Sequence, residues 1–189
     1  FRDFRGDTIH PSTLELLREL GLLERFLALP HNETKQVAAN INGEEFVIAD
    51  FSKLKTAAPF LGFIPQWDFL KFISTKGAAY PGFHLMMETE VVDIINENGA
   101  VRGVVAKGAG KSLEIRADVT VGADGRHSTI RNKAGFTATE LGAPIDVLWF
   151  RLSRTDDGTR QSLGYVDGGK FMVMLDRDDY WQCAFVIEK

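Results

Sequence analysis

Val119-Thr-Val-Gly-Ala-Asp-Gly-Arg-His-Ser-Thr-Ile-Arg131 decides how the rest of the chain is read. Val119-Thr-Val121 reads as a buried strand, Gly122-Ala-Asp-Gly125 as a tight turn, and Ser128 as the N-cap of a short helix closed by Gly135. An acidic side chain on such a turn, Asp124, sits where a nucleotide hydroxyl can be gripped. A bare Asp-Gly pair marks a turn in most proteins, so the weight of this stretch depends on what surrounds it.

Upstream, Val91–Ile95, Val101–Ala106 and Leu113–Ile115 form a three-strand meander that turns at Asn96-Glu-Asn-Gly99 and across Lys107–Ser112. His84–Glu88 is also β-like. Gly108-Ala-Gly-Lys-Ser112 is similar to the end of a phosphate-binding P-loop, but Val105 stands where that motif needs glycine. Leu113-Glu-Ile-Arg116 alternates like a strand, so the segment is read as a solvated hairpin turn. Gln66–Lys76 has helical spacing, with Phe69, Leu70 and Ile73 on one face and Gly77 as C-cap. Asn42-Gly43 between Val37–Ile41 and Glu45–Ile48 signals a hairpin. Pro11 and Ser12 open a helix whose Leu16, Leu20, Leu23 and Leu27 are expected in the core, with Gly21 breaking it in two and Pro30 ending it. After Pro144 strands are expected at Ile145–Ser153, Gln161–Val166, Lys170–Leu175 and Tyr180–Ile187. Their short loops favour an antiparallel sheet.

Composition narrows the function classes. A formal charge of −4 with scattered basic residues argues against nucleic acid as a partner. No apolar run reaches the roughly 18 residues that span a membrane. Cys183 is the only cysteine, so an internal disulfide is impossible and the cytoplasm is the expected compartment. Its apolar strand-like setting marks it as packing rather than a reactive thiol. His31, His84 and His127 lack metal-ligand spacing, and no metal site is expected.

Asp124, Gly125, Ser128 and Arg131 match the DGxxSxxR form, and with that match the chain resembles the FAD-dependent aromatic hydroxylases and related flavoprotein monooxygenases. Three further segments carry the resemblance in the right order. Phe4-Arg-Gly-Asp-Thr-Ile-His-Pro-Ser-Thr-Leu-Glu-Leu-Leu-Arg-Glu-Leu-Gly-Leu22 is similar to the segment in which an arginine contacts the FAD pyrophosphate, which implies that role for Arg5. Pro65-Gln-Trp-Asp-Phe-Leu70 is similar to the helix start whose glutamine reaches the cofactor, here Gln66. Thr89-Glu-Val-Val-Asp-Ile94 resembles the strand whose backbone contacts adenine, at Val91. The resemblance implies that Asp124 bonds a ribose or ribityl hydroxyl and that Arg131 mainly pins the turn.

The resemblance implies an α/β fold: a Rossmann-like FAD-binding domain over 1–35 and 62–142, and an antiparallel β-sheet substrate domain over 36–61 and 143–189. The implied activity is hydroxylation of a small organic, aromatic substrate, with FAD as cofactor, NADPH or NADH as reductant and O2 as oxidant. No catalytic acid or base is assigned. Phe171, Met172 and Met174 are either pocket lining or core. The partner is a small molecule, and a homodimer is an arrangement the sequence leaves open. The family's opening GxGxxG unit and its later Gly-Asp motif are not in the sequence, so the chain is expected to be the middle of a longer protein and, by itself, inactive. The alternatives are an FAD-dependent reductase or halogenase relative, and a silent fragment that does not bind FAD.

Overall fold

Pro11 sits in the first turn of α1 (Pro11–Glu19), where its missing N–H costs nothing. The helix stops because Gly21 takes the left-handed conformation at φ +67°. A second helix, α2 (Leu23–Leu27), starts in a new phase. That break moves the buried stripe: Leu14 and Leu17 are inside, while Leu16 and Leu20 are 58% and 65% exposed. The expectation that Leu16 and Leu20 belong to the core is therefore corrected. Leu23 and Leu27 pack against the core as partly buried side chains.

The computed structural model describes residues 8–139, 141–155, 163–177 and 179–189. They fall into two compact units: the described residues of Phe1–Tyr80 with Ala143–Lys189, and Pro81–Gly142. No described helix is long and apolar enough to cross a membrane.

In the first unit, β1 (Thr8–Ile9) and β2 (Asn32–Thr34) flank β5 (Leu61–Phe63) in a small antiparallel sheet. Beside it, α3 (Gln66–Gly77) runs one residue past its expected end, with Ala78 rather than Gly77 as C-cap. Its buried residue is Phe72, with Phe69 and Ile73 partly buried, whereas Leu70 faces out, contrary to expectation. Phe26 stands at the centre, meeting Phe72 at 5.5 Å and Phe69 at 5.8 Å between ring centroids, both edge-to-face.

The hairpin of β3 (Gln36–Ile41) and β4 (Glu44–Asp50) turns at Asn42 and Gly43 with φ of 52° and 92°, the left-handed pair that matches strand twist. It joins β9 (Ile145–Ser153), β10 (Leu163–Asp167), β11 (Lys170–Asp176) and β12 (Tyr180–Glu188) in one six-stranded sheet, order β4-β3-β10-β11-β12-β9. All its pairs are antiparallel except β3 with β10, so the sheet is mixed rather than wholly antiparallel. Strands joined by short turns, β3–β4, β10–β11 and β11–β12, pair antiparallel; β3 and β10 are far apart along the chain, where loop length imposes no direction.

The second unit is the expected meander, β6 (Thr89–Glu97), β7 (Ala100–Gly108) and β8 (Lys111–Arg116). Ala109 and Gly110, both at positive φ, make the β7–β8 turn, so Gly108-Ala-Gly-Lys-Ser112 is a hairpin and not a phosphate loop. His84–Glu88 carries no strand. The same holds for Val119–Val121, whose valines are 77% and 83% exposed. An alternating V-T-V run makes a strand only when a ladder receives it, and no described strand pairs with it. Helix α4 (Thr129–Lys133) closes the unit and is tied to β6 by Lys133 and Asp93 at 3.2 Å.

Candidate functional site

The turn before α4 is built around Asp124. Its Oδ1 accepts the Ser128 hydroxyl at 2.5 Å, and its Oδ2 accepts the Ile130 amide at 3.1 Å. Ser128 caps the helix as expected, its Oγ accepting the Arg131 amide at 3.0 Å. Arg131 donates through Nη2 to the Arg126 carbonyl at 2.7 Å, which pins the turn from the other side. Gly125 makes the bend at φ +83°, and a Cβ there would meet nothing within 4 Å. The backbone is therefore open to an approaching ligand at that point.

Asp124 is exposed, and its carboxyl is held below the ordinary value of 3.8 by the Ser128 hydroxyl first and the Ile130 amide second. A carboxylate lowered in the folded state adds stability that is complete above its unfolded pKa and is lost as pH falls through the folded one. We expect the protection of the Ile130 and Arg131 amides, measured against the intrinsic exchange rate at each pH, to be constant near neutral pH and to fall below about pH 4. Asp124→Asn should flatten that profile. An unchanged profile in the variant would remove Asp124 as the cause.

One residue of this turn escaped the sequence reading. A Cβ on Gly122 would lie 2.9 Å from both Cβ and Cγ2 of Ile130. Glycine lets α4 close down onto the turn; the only sequence signal was its place two residues before Asp124.

Among the other predicted residues, Val91 lies in β6, opposite Ala106 of β7, just before a register shift. β6 is the outer strand of its sheet, so its far backbone edge has no strand partner among the described residues. That suits a backbone contact to a heterocycle. Gln66 opens α3 in the other unit; it is half-buried, with Pro65 rather than a side chain at the N-cap. Trp67 beside it is 58% exposed. Arg5 lies outside the described residues. Asp124 and Gly125 thus share one turn and Val91 the same unit, while Gln66 belongs to the first unit.

A cavity of about 390 Å³ opens on one face of the six-stranded sheet. Phe171, Val173 and Leu175 of β11 line it, and strand alternation puts Met172 and Met174 on the opposite face. Phe171 is thus pocket lining; Met172 and Met174 are not. No group of three or more His, Cys, Asp or Glu that could hold a metal occurs among the described residues.

Residues 1–186 match the family described as FAD binding domain. The chain is 33% identical over 153 residues to a 6-methylpretetramide 4-monooxygenase of Streptomyces rimosus, covering 80% of this chain and 37% of that protein. It is 30% identical over 182 residues to an uncharacterized aromatic compound monooxygenase, YhjG, of Bacillus subtilis, covering 92% and 34%. Its fold is similar to that of the p-nitrophenol 4-monooxygenase PnpA from Pseudomonas putida, with a TM-score of 0.82 at 21% identity over 100% of this chain and 49% of that one. The chain therefore spans about a third of the curated relatives it matches.

Proposed function

The chain belongs to the FAD binding domain family found in FAD-dependent monooxygenases, and from that premise we propose that it is part of a flavin-dependent hydroxylase of small organic, aromatic molecules. The observation that carries the proposal is the Asp124 turn. The Ser128 hydroxyl and the Ile130 amide hold its carboxylate in place, with the Thr129 amide also bearing on it, and the side chain stays exposed to solvent. An exposed, oriented carboxylate of this kind is an acceptor that hydroxyls of a nucleotide cofactor can reach. The open backbone at Gly125 and the edge of β6, unpaired among the described residues, fit the same ligand.

In this reading Asp124 and Gly125 hold the sugar hydroxyls, Val91 backbone meets the adenine, Gln66 offers its amide, and Arg5 neutralises the pyrophosphate. FAD, when bound, supplies electron transfer and oxygen activation. The protein's own task is to bind it, to keep water out and to orient the acceptor molecule. Electrons come from NADPH or NADH, and oxygen from O2. Residues 36–61 and 143–189 form the substrate part, supported by the single sheet that unites β3–β4 with β9–β12, while 1–35 and 62–142 form the cofactor part. The cytoplasm is the proposed compartment.

Asp124→Ala and Arg5→Ala should each weaken FAD affinity by at least about tenfold. Titration of apoprotein with FAD, followed by flavin fluorescence, measures this. Unchanged affinity in both variants would overturn the site, and NAD(P)H oxidation without hydroxylated product would overturn the activity.

A further inference from the structure

Gly164 sits in β10 with no structural demand for glycine. A Cβ built there meets the Ala39 Cβ at 3.5 Å, Phe171 Cε2 at 3.6 Å and the Ala38 carbonyl at 3.9 Å, all ordinary van der Waals contacts. It is not among the glycines at positive φ, unlike Gly125 or Gly103. Glycine inside a strand costs roughly 0.5–1 kcal/mol relative to alanine. Backbone geometry does not account for that cost.

Gly164 forms part of the floor of the 390 Å³ cavity, next to Ala39. Two such small residues side by side leave the sheet surface flat there. The ring of Phe171 leans over Gly164 and is 41% exposed, while Phe63 stands on the β5 side. Among the described residues, Thr8 is the one polar side chain in the lining and no charged side chain takes part. A charged ligand group would lose its hydration here without a partner in return. The volume lies within the roughly 300–1,000 Å³ of small-molecule sites.

We propose that this cavity takes an uncharged, flat, fused-ring portion of the hydroxylase substrate, and that Gly164 is the residue that sets how thick a ring system enters. The inference rests on the function proposed above. An aromatic plane matches a flat floor edged by two phenylalanine rings; a flexible isoprenoid chain has no such need of a flat surface.

The test uses the purified protein and three probes: 2-naphthol, its charged counterpart 2-naphthoate, and farnesol. Binding of the naphthalenes is read from their own fluorescence, and farnesol by its displacement of 2-naphthol. We expect 2-naphthol to bind at least about tenfold more tightly than 2-naphthoate. Gly164→Leu should abolish 2-naphthol binding. Gly164→Ala, which keeps ordinary contacts, should reduce it several-fold while melting no lower than the parent. That milder variant decides the matter if the leucine variant does not fold.

Equal or stronger binding of 2-naphthoate, displacement by farnesol at lower concentration than 2-naphthol itself requires, or unaltered binding in the alanine variant would each overturn the inference. FAD affinity, measured in the same preparations, separates the two claims. Tight FAD with no naphthol binding sinks only the substrate class; naphthol binding without FAD affinity sinks the function and leaves the cavity's chemistry standing.

Discussion

Gly103→Ala is expected to cost at least about 3 kcal/mol and to melt the β6–β8 meander ahead of the rest of the protein. Gly103 lies in β7 directly across from Arg116 of β8, at φ +142°. A Cβ there would stand 2.0 Å from the Ile115 carbonyl oxygen and 2.8 Å from the Arg116 Cα. Both are backbone atoms, so no side chain can swing aside. The strands would have to part, with loss of the ladder around Gly103 and of the 3.0 Å bond from the Ala117 amide to the Arg102 carbonyl. Gly99→Ala makes the control: its φ is +81° but nothing lies within 4 Å of the new methyl, so only conformational strain of about 1 kcal/mol is expected. All tryptophans, Trp67, Trp149 and Trp181, belong to the other unit, so their fluorescence would miss the change. Amide exchange across Pro81–Gly142 is the measurement. Protection equal to that of the parent would mean that the strands tolerate a wider spacing.

Phe26→Ala should destabilise the first unit by roughly 3–5 kcal/mol. The ring is 2% exposed and sits among Leu14, Leu17, Ile64 and Phe72 in one cluster. Truncation removes both edge-to-face contacts and leaves a void that α1, α2 and α3 must collapse to fill, which short helices anchored at both ends do poorly. Leu16→Ala, by contrast, should change stability by no more than about 0.5 kcal/mol, because its side chain is mostly in solvent. Urea melts followed by tryptophan emission compare the two. Similar losses would put Leu16 back into the core and reverse the phase assigned to α1.

These two cases also mark where the sequence was legible. Local chemistry could be read directly: Pro11 as a helix start, Asn42-Gly43 as a hairpin turn, Ser128 as a cap, and the three-strand meander. Each depends on residues within a few positions of one another. Facing was not legible. Leucines 14, 16, 17 and 20 satisfy two helical stripes at once, and only the partner surface selects one. Val119–Val121 has strand composition, but strands exist by pairing, and pairing is not local. The parallel union of β3 with β10 left no mark on either segment. At the site, Asp124 and its neighbours stood out by type and spacing, whereas the doubling of that carboxylate as the anchor of α4 required coordinates. Gly122 and Gly164 look alike in sequence to any other glycine; what a methyl would touch distinguishes them.

The Asp124 carboxylate is immobilised before any ligand arrives, held by a hydroxyl and an amide of its own chain. Its rotamer entropy is lost during folding, so in the proposed site a nucleotide would meet an oriented acceptor and need not order one. Ligand and helix would then be reciprocal: whatever grips this carboxylate also holds the start of α4 closed, and whatever frays α4 loosens the grip. With the cofactor held at Asp124 as proposed, exchange protection at Ile130 would gauge cofactor occupancy, readable without any chemistry at the flavin.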